Sequence, residues 1–194
     1  MIKLSDFDYP IFHSPYGKLV QKGHARLLYN DFASDPSNPK FASVPSEFLG
    51  LSPTESLASK PLEKAFVGLA ASDYKTRVAP SMSLAKRCGN MYTASLYGGL
   101  VSLVSNVDPA ELKNKRISMF AYGSGCASSF FGIRVRGDTS EMREKIDLQR
   151  RLQSMKVVPC EEYVAALKVC LSDHLLYGHD TDSSLARTAP RAEP

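Results

Sequence analysis

The stretch FDYPIFHSPYGKLVQK, residues 7–22, decides the fold, because its hydrophobic pattern changes within a single turn. Phe7 to Phe12 form a short, mostly apolar run, which is typical of a buried strand. Pro10 has no backbone N–H to donate to a neighbouring strand. We therefore predict that this strand lies at the edge of its sheet or is bulged.

A helix is expected to follow this strand almost at once. Ser14 is a good N-cap residue and Pro15 a good first helical residue, so the sequence predicts a helix from about Pro15 to Phe32. His13 then sits in a strand-to-helix turn, where side chains commonly face ligands.

The next strong helix is predicted from Met91 to about Ser105, with Tyr92 in its apolar face. Gly98 and Gly99 lower its helix propensity by roughly 1 kcal/mol each relative to alanine. Two such residues are explained if another backbone packs closely against this helix.

The remaining segments complete an α/β pattern. We expect a long irregular excursion over 34–61, helices over 62–74, 140–154 and 160–176, a short strand at 82–84, and a hairpin of strands 115–122 and 127–136. This order predicts a three-layer α/β domain with a mixed sheet flanked by helices, over residues 1–180, followed by a polar tail, 181–194.

Composition and charge narrow the function classes. The chain has 194 residues, of which 43% are hydrophobic and 23% charged, so it is globular and not disordered. A net charge of +4 without a dense basic run suits an anionic small ligand, and we predict no nucleic-acid partner. The longest apolar runs fall far short of the ~18 residues that a membrane helix needs, and the first residues contain no secretory signal, so we expect a cytoplasmic protein without membrane contact.

The four cysteines predict neither a metal site nor a disulfide framework. Cys88, Cys126, Cys160 and Cys170 form no CxxC pair, and no histidine lies at zinc-finger spacing from them. We expect a reducing compartment and no metal.

Three segments with unusual turns carry a family resemblance. They are FDYPIFHSPY with KLVQK and LYNDF (7–32), GNMYTASLY (89–97), and KRI with FAYGSG (115–125). In this order and at about this spacing they resemble the active-site segments of eukaryotic-type hydroxymethylglutaryl-CoA synthase, a family of the thiolase superfamily. The resemblance covers residues 6–136 and concerns only the C-terminal half of that family.

This resemblance implies half of a thiolase-like fold, whose two similar halves pack as αβαβα layers. The family condenses acetyl-CoA with acetoacetyl-CoA, through an acetylated cysteine, in the mevalonate pathway of isoprenoid biosynthesis. The resemblance therefore implies a CoA thioester as substrate and no separate cofactor. The nucleophilic cysteine and the general-base glutamate belong to the half that this chain does not resemble, so we expect the chain alone not to perform the full acyltransferase reaction.

The resemblance also implies catalytic roles. His13 matches the histidine that hydrogen-bonds the acetoacetyl group and assists as an acid, and Asn90 matches the asparagine that donates to the ketone oxygen under attack. Ser124 matches the serine whose backbone N–H helps to form an oxyanion hole, beside Gly123. From the residues alone, a helix-entry histidine, a helix-capping asparagine and an ordinary hairpin turn remain alternatives.

Further residues are expected to bind substrate or CoA. Lys18 and Lys22 lie one helical turn apart, and the family's lysines at these positions contact CoA, although solvated helix lysines are the alternative. Tyr92 and Gly123 belong to the same predicted binding set. Cys126, after the Gly-Ser-Gly turn, is a less favoured candidate for a relocated nucleophile.

The other histidines are assigned no catalytic role. His24, His174 and His179 match no catalytic position, and we interpret them as structural or surface residues.

Half of a thiolase-like fold would leave a sheet edge and apolar surface uncovered, which predicts a homodimer or a partner chain. Three functions follow as hypotheses. The chain is a component of an acyl-CoA condensing enzyme whose cysteine and glutamate come from another chain. It is a repurposed stand-alone enzyme of specialised terpenoid or polyketide metabolism that uses the His13 and Asn90 pocket on a different substrate. Or it is a non-catalytic remnant, a truncated homologue that serves as a partner subunit.

Overall fold

The computed structural model describes residues 2–123, 125 and 127–177, and for 170–177 the backbone only. The predictions for Ser124, Cys126 and His179, for the side chain of His174 and for the polar tail 181–194 lie outside these descriptions. The chain divides into two compact units, residues 1–153 and 154–194.

A mixed sheet of three strands forms the centre of the first unit. Strands β1 (Tyr9–Phe12), β2 (Arg116–Gly123) and β3 (Ala127–Arg134) lie in the order β1-β2-β3. β1 is parallel to β2, and β3 returns antiparallel to β2 as a hairpin. The predicted mixed sheet and the hairpin are confirmed, and β1 lies at a sheet edge, as its proline indicated.

Helices occupy most of the remaining chain. They are α1 (Gly17–Ser34), α2 (Pro53–Ala58), α3 (Lys60–Leu69), α4 (Ala71–Asp73), α5 (Ser83–Cys88), α6 (Ser95–Asn106), α7 (Pro109–Leu112), α8 (Ser140–Ile146), α9 (Leu148–Gln153) and α10 (Cys160–Tyr177). Short 3-10 turns and one π-helical segment, Tyr74–Val78, connect several of them. In the part of the chain that the structure covers, no helix combines the length and apolarity needed to cross a bilayer.

Two local predictions are wrong. The strand expected at 82–84 is helical, because a 3-10 turn over Ala79–Met82 runs directly into α5, and the N–H of Leu84 donates to the side chain of Ser102 rather than to a strand. Ser14 does not cap the first helix, which begins at Gly17. Its hydroxyl donates to the carbonyl of Phe12, at 3.1 Å, and is buried there.

Helices cover β1 and the first part of β2 on both faces, which gives the predicted three layers, whereas β3 is largely exposed. Alternate residues of β1 point to opposite sides, so Ile11 packs with the buried residues of α6 and Phe12 packs with Val20 of α1. Another apolar cluster lies between α1 and α3. Phe41 and Phe48, from the segment 34–61, are buried in it.

The two glycines of α6 allow close packing against side chains and, at Gly99, against another backbone. A Cβ atom built at Gly98 would lie 2.5 Å from Cε of Met91, and one at Gly99 would lie 2.6 Å from Cγ2 of Ile11. The nearest atoms thus belong to side chains, but the backbone oxygen of Ser81 also lies 3.7 Å from a Cβ at Gly99, so the expected backbone neighbour is present at that glycine. Because Ile11 belongs to β1, this contact joins α6 directly to β1.

A partly buried charged network fixes the start of β1. Arg77 of the π-helical segment donates to the carbonyls of Leu4 and Asp8, each at 2.9 Å, and to that of Phe7. It also forms two 2.9 Å hydrogen bonds with Asp73. Since β1 begins at the next residue after Asp8, this arginine positions the strand that leads to the predicted histidine.

His24 joins the same network as a core residue. Its Nε2 lies 2.9 Å from the Asp73 carboxylate, and its side chain is fully buried. Burial lowers the pKa of His24, and the facing carboxylate opposes that shift only in part. Burial opposes ionisation of Asp73 too, but the Arg77 guanidinium outweighs it and keeps the pKa of Asp73 below its usual value. This environment agrees with the structural interpretation of His24.

Candidate active site

The ends of β1 and β2 place two of the predicted motifs side by side. Because the two strands are parallel, their carboxyl ends lie at the same edge of the sheet, where α/β proteins commonly bind ligands. His13 follows β1 directly, and its N–H donates to the carbonyl of Phe120 at 2.8 Å. β2 ends at Gly123, so the histidine and the glycine turn lie at one end of the sheet.

The start of α6 adds the third motif. The backbone N–H of Ser14 donates to Oγ of Ser95, the first residue of α6, at 2.9 Å, and both residues are buried. This bond ties the end of β1 to the helix that the Gly-Asn segment introduces. The three predicted motifs therefore converge in space.

Asn90 uses its side-chain oxygen as a cap. Its Oδ1 accepts a hydrogen bond from the N–H of Tyr92 at 2.9 Å, just before the 3-10 turn Tyr92–Ala94. The amide NH₂ of this exposed residue has no partner among the residues described. Capping and carbonyl recognition were expected to compete for this side chain, but they use different atoms, so one asparagine can do both.

Tyr122 is a site residue that the sequence interpretation missed. Its ring makes an edge-to-face contact with His13, with centroids 5.4 Å apart, and stacks on Phe120 at 5.8 Å. Its hydroxyl oxygen is buried and has no hydrogen-bond partner in the described part of the chain. Burial raises the pKa of Tyr122, and the nearby phenol of Tyr16 raises it further. The hydroxyl is therefore a proton-bearing donor at neutral pH, available beside His13.

A sequence signal for Tyr122 existed. An aromatic hydroxyl at the last positions of a strand, directly before a glycine turn, is placed where a sheet opens toward a ligand. The prediction concentrated on the turn itself, at Gly123 and Ser124.

The glycine turn is only partly described. A Cβ atom at Gly123 would meet nothing within 4 Å, so this end of the sheet is open to an approaching group. Gly125 has a φ of +93°, which a residue with a side chain rarely adopts. The predicted oxyanion role of the Ser124 N–H stays a prediction.

The predicted CoA-binding residues lie on exposed surface. Lys22 forms a 3.1 Å ion pair with Glu63 of α3, and both side chains remain about two-fifths exposed. Such a surface pair contributes little to stability, so it leaves Lys22 able to exchange partners. Lys18 is exposed one turn earlier on α1. The binding roles of both lysines stay predictions.

Tyr92 does not belong to the apolar face of a helix, as its position had suggested. Its φ of +49° is left-handed, which takes the residue out of the helical path, and 75% of it is exposed. Its N–H donates to the side chain of Asn90, and its predicted contact with substrate stays a prediction.

Within the described ranges, no group of three or more His, Cys, Asp and Glu side chains lies close enough to hold a metal ion.

Solved structures define the class of this fold. The chain resembles MvaS in complex with 3-hydroxy-3-methylglutaryl coenzyme A, with a TM-score of 0.62 and 29% identity over 84% of this chain and 34% of that one. It also resembles the HMG synthase of the curacin biosynthetic pathway, with a TM-score of 0.59 and 24% identity over 87% of this chain and 34% of that one. The architecture is that of a thiolase-like fold.

Sequence comparisons identify the family. The model of the hydroxymethylglutaryl-coenzyme A synthase C-terminal region matches residues 1–189. The hydroxymethylglutaryl-CoA synthase of Ganoderma lucidum is 57% identical over 173 residues, or 88% of this chain, and that of Mycosarcoma maydis is 50% identical over 191 residues, or 98%. The chain belongs to the hydroxymethylglutaryl-CoA synthase C-terminal family. It spans 37% and 41% of the lengths of these two relatives.

Proposed function

We propose that this chain provides the acetoacetyl-binding side of a hydroxymethylglutaryl-CoA synthase active site, as a component of an acyl-CoA condensing enzyme. The observation that carries this proposal is the convergence of three motifs, held by the hydrogen bond from His13 to Phe120 and that from Ser14 to Ser95. His13 is half-buried and its ring contacts that of Tyr122, so its imidazole is placed to meet a carbonyl substrate at this end of the sheet.

In this proposal the site recognises two carbonyl oxygens. The Asn90 amide NH₂ donates to the ketone oxygen under attack, whose negative charge grows as the new carbon–carbon bond forms. His13 donates to the acetoacetyl group and supplies a proton as that charge develops. Tyr122 supports His13 through their edge-to-face contact and offers its own hydroxyl beside it.

A second polypeptide segment completes the reaction in this proposal. The chain matches about two-fifths of its relatives, and their names describe the whole synthase. The nucleophilic cysteine and the general-base glutamate implied by the family resemblance would come from the other part. In the complete assembly, the acyl-CoA condensation of the mevalonate pathway is the reaction that this site would serve.

A titration of acetoacetyl-CoA into the full chain, followed by calorimetry, tests the proposal. The informative change is Asn90→Asp, because aspartate retains an oxygen that caps Tyr92 but loses the donating NH₂. We expect stability to change by less than about 0.5 kcal/mol and binding to weaken at least about tenfold, or ~1.4 kcal/mol. His13→Ala should weaken binding as well.

The chain offers a matched control at Asn38. Its side-chain oxygen accepts from the N–H of Lys40 at 3.1 Å, just as Asn90 does from Tyr92, but at another 3-10 turn. Asn38→Asp should therefore leave binding unchanged. Equal binding by the Asn90→Asp chain and the unmodified chain would contradict the proposed role, and hydroxymethylglutaryl-CoA formation by the chain alone would contradict the need for a second segment.

A further inference from the structure

Five rings lie in a continuous row between the protein core and the candidate active site. Each ring contacts the next, with centroids 6.4, 6.4, 5.8 and 5.4 Å apart. These separations fall within the range of about 4.5–7 Å at which ring pairs attract each other. In order from the core, this aromatic row consists of His24, Phe12, Phe120, Tyr122 and His13.

The sheet sets the spacing of the middle of the row. Phe12 of β1 and Phe120 of β2 are direct partners in the register of the two strands, and their rings meet edge-to-face at 80°. Tyr122 follows Phe120 by two positions, so both side chains lie on the same face of the sheet. Their rings stack at 28°. The three central rings therefore move only when the strands that carry them move.

The core end of the row is closely packed. The side chain of His24 is fully buried, and its ring meets that of Phe12 edge-to-face. Phe12 also packs against Val78 and Met82. A Cβ atom at Gly23 would lie 3.7 Å from two atoms of the Phe12 ring, so the backbone of α1 already lies against that ring. Because such interiors contain few voids, a displacement of one ring is passed to the next.

A hydrogen bond fixes the ring at the core end. Nε2 of His24 lies 2.9 Å from the carboxylate of Asp73, which Arg77 holds with two further 2.9 Å hydrogen bonds. Among the described residues, the imidazole of His13 makes no hydrogen bond and the hydroxyl of Tyr122 has no partner. The orientation of the His13 ring thus depends on packing along the row, and His24 anchors that row.

A histidine suits the anchoring position better than an apolar residue does. A leucine at position 24 would fill the space, but no hydrogen bond would fix its orientation. An imidazole bonded to a carboxylate presents its ring in one plane. A reacting group has to be held within about 0.5 Å of its productive position, by neighbours that packing and hydrogen bonds lock in place.

We propose that His24 is a positioning residue, which holds the imidazole of His13 in place through the aromatic row. This inference rests on the proposed function, because a fixed imidazole matters only where His13 meets a substrate.

NMR spectra of the full chain, labelled with 13C in its four histidines, test this role. The His13 imidazole signal is identified by its loss in His13→Gln. His24→Gln removes the anchoring ring but keeps an N–H donor for Asp73, and Phe12→Leu removes the next ring. We expect each of these two changes to move the His13 signal, because the field of the Tyr122 ring at His13 depends on how the two rings lie.

Phe32→Leu is the matched control. Phe32 lies on α1 and is as deeply buried as Phe12, but its ring contacts Phe41 and Phe66, outside the row. It should leave the His13 signal in place, and circular dichroism should show that all variants are folded. A His13 signal that moves in neither row variant, or that moves as far in Phe32→Leu, would overturn the proposal.

Calorimetry with acetoacetyl-CoA connects this role to the proposed function. Phe12→Leu should weaken binding at least about threefold, whereas Phe32→Leu should not. Unchanged binding by Phe12→Leu would overturn the role of the row in the site, even if the His13 signal moves. If the unmodified chain does not bind acetoacetyl-CoA, the proposed function fails, but the His13 signal is measured without ligand and still decides whether His24 positions that ring.

Discussion

The two adjacent glycines of α6 allow a sharp test of how the core positions the site. Gly98→Ala and Gly99→Ala are the same chemical change, one residue apart on one helix. Each should gain about 1 kcal/mol from helix propensity. What differs is the atom that the new Cβ would meet.

The contacts predict opposite outcomes. At Gly99 the new methyl group would lie 2.6 Å from Cγ2 of Ile11, a buried, β-branched residue of β1. Contact at about 3.5–4.0 Å requires a shift of roughly 1 Å, and such overpacking costs about 1–3 kcal/mol. Set against the gain in helix propensity, this gives an expected net loss of up to about 2 kcal/mol for Gly99→Ala.

At Gly98 the obstacle is Cε of Met91, 2.5 Å away, at the end of a flexible side chain. Methionine can move aside at little cost, so Gly98→Ala should be neutral or gain up to about 1 kcal/mol.

Urea unfolding measures both effects. The chain has no tryptophan, so circular dichroism at helix wavelengths is the suitable signal. The two variants should differ by about 2 kcal/mol in the free energy of unfolding. Because Ile11 lies two residues before His13, Gly99→Ala should also weaken acetoacetyl-CoA binding. Equal stability of the two variants would refute the reasoning, since it would mean that the neighbouring atom does not decide the result.

Three further predictions concern the charged network and the site. Burial holds the pKa of His24 below its ordinary value of 6.5, so the unfolded chain binds a proton more readily than the folded chain. The free energy of unfolding should therefore fall as the pH is lowered from about 7 to about 5.5. Urea midpoints of His24→Gln should depend less on pH, and an unchanged pH dependence would contradict this explanation. Lysine in Arg77→Lys retains the charge but cannot bond three carbonyls and Asp73 together. Thermal and urea unfolding should therefore show a free energy of unfolding lower by about 2–4 kcal/mol. A decrease below about 1 kcal/mol would show that this network contributes little to stability. Tyr122→Phe should change the free energy of unfolding by less than about 1 kcal/mol, because the hydroxyl has no partner in the described residues. Calorimetry should nevertheless show weaker acetoacetyl-CoA binding. Unchanged binding would show that this hydroxyl does not contact the substrate.

The sequence predicted most of the architecture, because strong local signals agreed with the tertiary structure. Pro10 indicated an edge strand, and β1 lies at an edge. The Gly-Ser-Gly turn between two apolar runs indicated a hairpin, and β3 pairs with β2 as expected. In both cases the relevant interaction lies within the segment or in the strand next to it.

The errors arose where a distant residue decides the conformation. Ser14 has the chemistry of an N-cap, but Ser95, 81 positions away, accepts its N–H and holds it in the core. The helix start is consequently displaced to Gly17. Leu84 looked like part of a strand, but Ser102 accepts its N–H and the segment is helical. Local propensity contains no information about such partners.

In the candidate site, too, the sequence predicted some features and only the structure showed the others. Motifs identified the positions of His13 and Asn90, but only the geometry shows that the Asn90 oxygen is already used and its NH₂ is not. Tyr122 carried a weaker sequence signal, and it was identified through its contact with His13 and its buried hydroxyl, which has no partner among the described residues.

The hydrogen bond from Ser14 to Ser95 has a consequence for the dynamics of the protein. A backbone amide that donates to a hydroxyl on another element is protected from solvent only while strand and helix remain together. Exchange of this one amide proton with deuterium therefore reports the separation of the sheet from α6, rather than fraying of the strand alone. A ligand that bridges the two elements at the open end of the sheet should slow that exchange, even though it touches neither serine.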